Sequence, residues 1–239
     1  MRYKFDEIKE LLFDKVVDCL IVSETKIDST FKDSLFEVDG YKLQRRDRTD
    51  SGGGIATFMR TDIPAKRRFD IECKTLENIV YEVTLDKVKW LIFGLYRPPS
   101  MPNNLFTKHM STLLDKSIKH YENLIVIGDL NYDLLCTEKS QTLDDLCDIF
   151  DLTNIIKEPT CFKKDCNPSL VDVILTNKSK SCFKSLNFNT GVSDCHHLIE
   201  AGQIGPKPNW PQVKSAPVKS TPSQIGPSQI GPKAKLLKN

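Results

Sequence analysis

Asn123-Leu124-Ile125-Val126-Ile127-Gly128-Asp129-Leu130-Asn131 carries an uninterrupted apolar run that stops at a glycine and a carboxylate. A short β-rich run bounded by turn residues reads as a buried strand. Strand ends are where α/β folds gather reacting groups, because a side chain there reaches solvent from a rigid base. That logic singles out Asp129, and it has counterparts. Glu24 follows the apolar Cys19–Val22, Asp172 lies within Leu170–Leu175, and Asp194 precedes Leu198–Ile199. Carboxylates dispersed along a chain but meeting in space suit a hard, oxygen-seeking cation such as Mg2+. Zinc is disfavoured, since no His/Cys pair has ligand spacing. Each acid taken singly also fits a turn or a helix cap. The weight rests on the set.

Outward from this strand, helix and strand patterns alternate irregularly. Tyr3–Lys15 has the apolar spacing of an amphipathic helix, and Val16–Val22 reads as a strand ending at Ser23-Glu24. Asp39-Gly40 and Ser51-Gly52-Gly53-Gly54 are turn signals, with Arg45-Arg46-Asp47-Arg48 between them as a solvated loop or a phosphate contact. Ile55–Met59, Asn78–Leu85 and Lys89–Tyr96 are strands, the last two joined near Asp86-Lys87 and closed by Pro98-Pro99. Leu105–His120 and Thr142–Phe150 are helical, while Leu170–Leu175 and Leu198–Ile199 complete the strands. Interspersed strand pairs point to a mixed-sheet α/β sandwich rather than a regular doubly wound sheet.

From Gly202 the character changes. Seven prolines, four glycines and a threefold Gln-Ile-Gly-Pro (203–206, 224–227, 229–232) do not make a packed core, so 202–239 is expected to be a disordered tail behind a domain spanning 1–201. The tail holds six lysines and no acid, so the formal charge of +2 conceals a body with 28 basic and 32 acidic groups. Bulk charge therefore does not mark the body as a nucleic-acid binder, and any DNA contact is local. The eight cysteines form no CxxC pair, and with no secretory or transit signal they read as free thiols of a nuclear or cytoplasmic protein. No apolar run has the length of a membrane span.

Five motifs occur in order: Ser23-Glu24-Thr25, Tyr96-Arg97-Pro98-Pro99, Gly128-Asp129-Leu130-Asn131, Ser169-Leu170-Val171-Asp172-Val173-Ile174 and Ser193-Asp194-Cys195-His196. In this order they closely resemble the endonuclease/exonuclease/phosphatase superfamily. The glycine run 52–54 and the Tyr-Arg-Pro-Pro run resemble, within it, the endonuclease domains of non-long-terminal-repeat retrotransposons, which accompany a reverse transcriptase. The resemblance covers about residues 2–200. It implies an α/β fold, a four-layer sandwich with two mixed β-sheets flanked by helices, and a hydrolase that nicks DNA with Mg2+ (or Mn2+).

Carried over position by position, the resemblance implies metal binding by Glu24, with Asp194 close to the metal and its waters. Asp129 would orient or deprotonate the attacking water, with Asn131 helping to hold the phosphate or the nucleophile. Asp172 would orient His196, which stabilises charge on the phosphoryl oxygens, and Tyr96 would donate to a phosphate oxygen. Arg97 would approach the substrate backbone. A metal, a carboxylate and an imidazole are together what phosphodiester cleavage requires. Each position also has a plain structural reading. Tyr96 fits a strand-end aromatic, Asn131 a turn residue, His196 or His197 a packing residue, and His109 and His120 a helix surface.

Against the family pattern, the sequence opens on the helix rather than on a strand carrying a metal-binding asparagine, Cys195 intervenes before His196, and the last strand gives way to the tail after Ile199. The resemblance thus implies a sandwich truncated at both ends. It leaves a catalytically inactive interaction module, or a phosphatase on small phosphoesters, as alternatives to the endonuclease.

Overall fold

The computed structural model describes residues 1, 4–15, 17–85, 87–131, 133–179, 183–188, 198–204 and 230–238. In chain order the elements are α1 (Phe5–Phe13), β1 (Cys19–Ser23), a short 3-10 turn (Asp33–Phe36), β2 (Tyr41–Arg46), β3 (Ile55–Arg60), β4 (Ala65–Arg67), β5 (Glu77–Leu85), β6 (Val88–Tyr96), α2 (Asn103–Ile118), β7 (Asn123–Asp129), α3 (Thr137–Ile149), β8 (Thr153–Asn154), β9 (Asp172–Thr176), β10 (Phe183–Phe188), β11 (Leu198–Ile204) and β12 (Ile230–Lys238). They form two mixed sheets, ordered β10-β11-β12-β1-β3-β2 and β4-β5-β6-β7-β9-β8. Among the described residues only β1–β12 and β6–β7 pair in parallel, and α2 is the crossover between the latter two.

Alternation along the strands sets the layers, because successive side chains point to opposite faces. On β1, Cys19 and Ile21 enter a core shared with Ile79, Ile92, Ile125, Ile127 and Ile174 of the other sheet. Leu20 and Val22 turn the other way, onto Phe5, Ile8 and Leu12 of α1. The second sheet repeats the division. Leu91, Phe93, Leu124, Val126, Val173 and Leu175 face Phe106, Met110 and Leu113 of α2 and Leu143 and Leu146 of α3. The result is helix, sheet, sheet, helix pair: the four layers that the family resemblance implies. Gly94 lets the sheets approach closely, since a Cβ there would lie 3.2 Å from Ile21 Cγ2 and 3.4 Å from Ile55 Cδ1.

Two expectations are corrected at the far end of the chain. The strand expected to stop at Ile199 runs to Ile204, and the segment expected to be wholly disordered contributes Ile230–Lys238 as β12, between β1 and β11. The physical reason is the edge of β1. All five of its residues are buried, and β3 satisfies only one side of its backbone. The part of β12 that pairs with β1, Ala234–Lys238, is free of proline and glycine, the composition a ladder partner needs, and Gly231 and Pro232 lie ahead of that ladder. The expected tail between these strands, 205–229, lies outside the described residues.

The Arg45–Arg48 stretch, expected as a loop, begins in strand: Arg45 and Arg46 end β2, paired with Ala56 and Ile55 of β3, and Asp47 and Arg48 follow it outside the strand. Among the described residues no helix is long and apolar enough to cross a membrane.

Candidate active site

The registers of β5, β6, β7 and β9 align their ends. Glu77 pairs with Tyr96, Tyr96 with Asp129 and Asp129 with Asp172, so four polar side chains form one row across the second sheet. By the two-residue period they share the face of Ile79, Ile92, Ile127 and Ile174, at the edge of the core between the sheets. Opposite them, β1 of the first sheet ends at Ser23, and the chain turns through Glu24. The Tyr96 hydroxyl donates to Glu24 Oε1 at 2.6 Å and closes the gap. Burial, then the bond to Glu24 and the charges of Glu24, Asp129 and Glu77, hold the Tyr96 phenol far above its usual range, so it acts as a neutral donor.

Asp129 is fully buried, and the Asn131 N–H donates to its Oδ1 at 2.9 Å. Asn131, at φ 53°, also directs its Nδ2 to Arg97 O at 2.9 Å and to Asp129 Oδ2 at 3.4 Å. A left-handed asparagine holding the preceding carboxylate is the Asx geometry that Gly-Asp-Leu-Asn suggests. Asp172 is 1% exposed. Its N–H and that of Val171 donate to Thr160 Oγ1 at 3.1 and 3.2 Å, a partnership the sequence did not announce.

Glu24 sits in a strained turn. Glu24 and Lys26 both have φ near 51°, a conformation costing about 1–3 kcal/mol for a non-glycine residue unless its surroundings impose it. The glycine loop imposes it here. Gly54 O accepts from Thr25 N at 3.3 Å and Gly53 O from Lys26 N at 3.1 Å. Gly53 and Gly54 themselves have φ of 73° and 86°, and a Cβ on Gly54 would meet Thr25 Oγ1 at 2.4 Å. The loop is in turn fastened by Glu77, whose Oε2 accepts from Gly54 N at 2.5 Å and whose Oε1 accepts from Arg48 at 3.0 Å. Burial pushes the Glu77 carboxyl up, against the Gly54 N–H and Arg48 that favour its charge. Sequence reading missed Glu77, because the expected strand began one residue later, at Asn78. The signal was the alternation Glu77, Ile79, Tyr81, Val83, which places it on the inward face.

Arg97 is a correction. It was expected to approach the substrate backbone, but it is 4% exposed and works inside the fold. Its guanidinium donates to Leu130 O at 2.8 Å, to Asn103 Oδ1 at 2.7 Å and to Met101 O, and its own N–H donates to Asp129 O at 2.9 Å. Arg45, Arg46 and Arg48 are likewise turned to internal partners: Phe31 O and Asp33, Cys73 O and Lys74 O, and Gly52 O and Glu77. A phosphate role for that cluster is not favoured by these contacts.

The structure thus gathers Glu24, Tyr96, Asp129, Asn131 and Asp172 at one mouth of the sandwich. Asp194, His196 and His197 lie outside the described residues. Among the described residues no three His, Cys, Asp or Glu side chains are arranged to hold an ion. The donor chemistry nonetheless fits Mg2+, which takes one or two carboxylates and completes its shell with water and substrate oxygens.

No protein-family model matches the chain, and no curated protein matches it in sequence. Solved structures do match. The endonuclease domain of TRAS1, a telomere-specific non-LTR retrotransposon, superposes with a TM-score of 0.64 at 13% identity, over 81% of this chain and 89% of that one. An endonuclease/exonuclease/phosphatase family protein from Leptotrichia buccalis gives 0.63 at 16% identity, over 84% and 92%. An AP endonuclease from Archaeoglobus fulgidus gives 0.61 at 13% identity, over 82% and 93%. The chain has the endonuclease/exonuclease/phosphatase fold. These neighbours include the family that the five sequence motifs resemble and the retrotransposon subgroup that the glycine run 52–54 and Tyr96-Arg97-Pro98-Pro99 resemble. At such identities the likeness is one of fold, and in this endonuclease/exonuclease/phosphatase fold the gathered side chains lie where the ends of both sheets meet.

Proposed function

We propose that this chain is a divalent-metal-dependent endonuclease that hydrolyses DNA phosphodiesters, of retrotransposon origin. The observation that carries the reading is the continuous row Tyr96–Asp129–Asp172, joined to Glu24 of the opposite sheet by the Tyr96 bond. The fold neighbours support DNA as the substrate class. Besides the TRAS1 endonuclease domain, they include a Neisseria 3' phosphatase bound to a product DNA hairpin and the catalytic domain of Xenopus laevis APE2.

In this reading Glu24 and Asp194 would hold Mg2+ or Mn2+, which when bound neutralises charge on the phosphoryl oxygens. Asp129, oriented by Asn131, accepts a proton from the attacking water. Tyr96 donates its hydroxyl proton in a hydrogen bond, to Glu24 in the free protein and to a phosphate oxygen when DNA is bound. Asp172 would orient His196, whose imidazole would stabilise developing charge.

The test is nicking of supercoiled plasmid with Mg2+ or Mn2+, with EDTA and Asp129→Ala as controls. Metal-dependent nicking that disappears in the variant is the expected result. A well-folded chain that leaves the plasmid intact overturns the reading. Hydrolysis of soluble inositol phosphates in place of DNA would redirect it to a phosphatase.

A further inference from the structure

We infer that Glu77 is the positioning residue for Glu24: its carboxylate locks the glycine loop whose carbonyls hold the Glu24–Lys26 turn. The inference rests on the metal-site reading for its consequence, and on contacts alone for its geometry. Those contacts form one uninterrupted path. Glu77 Oε2 accepts from Gly54 N at 2.5 Å, while Oε1 accepts from Arg48 Nη1 at 3.0 Å. Arg48 Nε also donates to Gly52 O at 2.9 Å, so the loop is held from both sides by one ion pair. Gly54 O and Gly53 O then accept from Thr25 N and Lys26 N.

A turn containing two left-handed non-glycine residues does not persist without such a frame. Glu77 is also well placed to supply it. It is directly paired with Tyr96, whose hydroxyl holds the Glu24 carboxylate from the other direction. Glu24 is thereby fixed twice, at its side chain by Tyr96 and at its backbone by Glu77 through Gly53 and Gly54. A carboxylate suits this role because it has two acceptor oxygens for two donors. A glutamine has one acceptor oxygen and an amide that faces the second donor with another donor.

The experiment compares Glu77→Gln with the parent chain by amide hydrogen exchange and by Mn2+ titration followed by electron paramagnetic resonance, with Glu24→Gln as the benchmark for metal loss. Exchange at Thr25 and Lys26 is expected to rise while β3 amides keep their protection, and Mn2+ affinity to fall about 10–100-fold, the range for partners that orient a metal ligand. A general loss of stability would raise exchange throughout the sheet instead. Unchanged exchange at Thr25 and Lys26 overturns the inference, whatever the metal does. So does undiminished Mn2+ affinity in a chain whose Glu24→Gln variant has lost it. If the parent chain binds no Mn2+, the metal reading fails, and the exchange data still decide whether Glu77 holds the turn. Should Glu77→Gln not fold, Arg48→Met withdraws one of the two donors from Glu77, and it must loosen the same two amides.

Discussion

The Tyr96 hydroxyl donates to Glu24 Oε1 at 2.6 Å, and through that bond the end of β6 in one sheet grips the turn that follows β1 in the other. A hydrogen bond to a charged acceptor contributes about 1.5–3 kcal/mol. Tyr96→Phe keeps the ring in its buried place and removes only the donor. Urea unfolding is expected to show a loss within that range, with nicking reduced further because the phosphate oxygen loses its donor. A change under about 0.5 kcal/mol, the scatter of an unremarkable surface substitution, would mean the bond does not tie the sheets.

Much of this site was legible before any coordinates. An apolar run ending at Gly128-Asp129 permits few conformations, and the strand lies from Asn123 to Asp129. The same holds for β6, where alternation ends at Tyr96. Pairing was not legible. That Tyr96, Asp129 and Asp172 stand side by side depends on registers fixed by contacts between distant segments, which no local pattern encodes. Arg97 was misread for a related reason. A lone arginine at a strand end looks solvent-facing unless the carbonyls of Leu130 and Met101 that receive it are known. β12 was hidden by composition, because neighbouring prolines and glycines mask a short stretch whose pairing depends on the bare edge of β1.

Arg97 carries a prediction that separates a strut from a phosphate contact. Arg97→Met strands the buried acceptor Leu130 O, at a cost of about 1–3 kcal/mol, and removes a donor from the part-buried Asn103 Oδ1, so thermal unfolding shifts down clearly. The slope of log Kd for DNA against log salt concentration is expected to stay as it was. A residue that neutralises a phosphate would lower that slope by about 1 on removal. A shallower slope with unchanged melting would return Arg97 to the substrate.

Asp70 gives a pH signature away from the site. Hydrogen bonding to Arg68, at 2.9 Å through Nε and 2.7 Å through Nη2, holds its carboxyl down at about 2. The unfolded value is about 3.9. A carboxyl lowered by folding adds stability above the unfolded value, and the contribution is lost as pH falls from about 4 through the folded value. A carbon-13 titration of the Asp70 carboxyl should therefore show its midpoint near 2. In Arg68→Met it should return towards about 3.9. Equal midpoints in both proteins would show that Arg68 does not hold the charge in solution.

β12 makes the strongest demand on the whole chain. Cys19–Ser23 of β1 pairs in parallel with Ala234–Lys238 on one side and with Ile55–Met59 of β3 on the other. Ending the chain at 229 removes that parallel partner and the antiparallel partner of β11 together. A fully buried strand with one bare backbone edge is a template for other chains. The shortened protein is therefore expected to associate in light scattering and to melt earlier. A synthetic peptide of residues 230–239 supplied in trans should return the scattering to that of the full chain and restore much of the melting temperature, because the slot remains shaped for a parallel strand. A shortened chain that scatters and melts as the full chain does would show that β12 contributes nothing to the sheet. Recovery by the peptide, with none from a scrambled version, would establish that the slot is filled by sequence-specific pairing rather than by any extended segment.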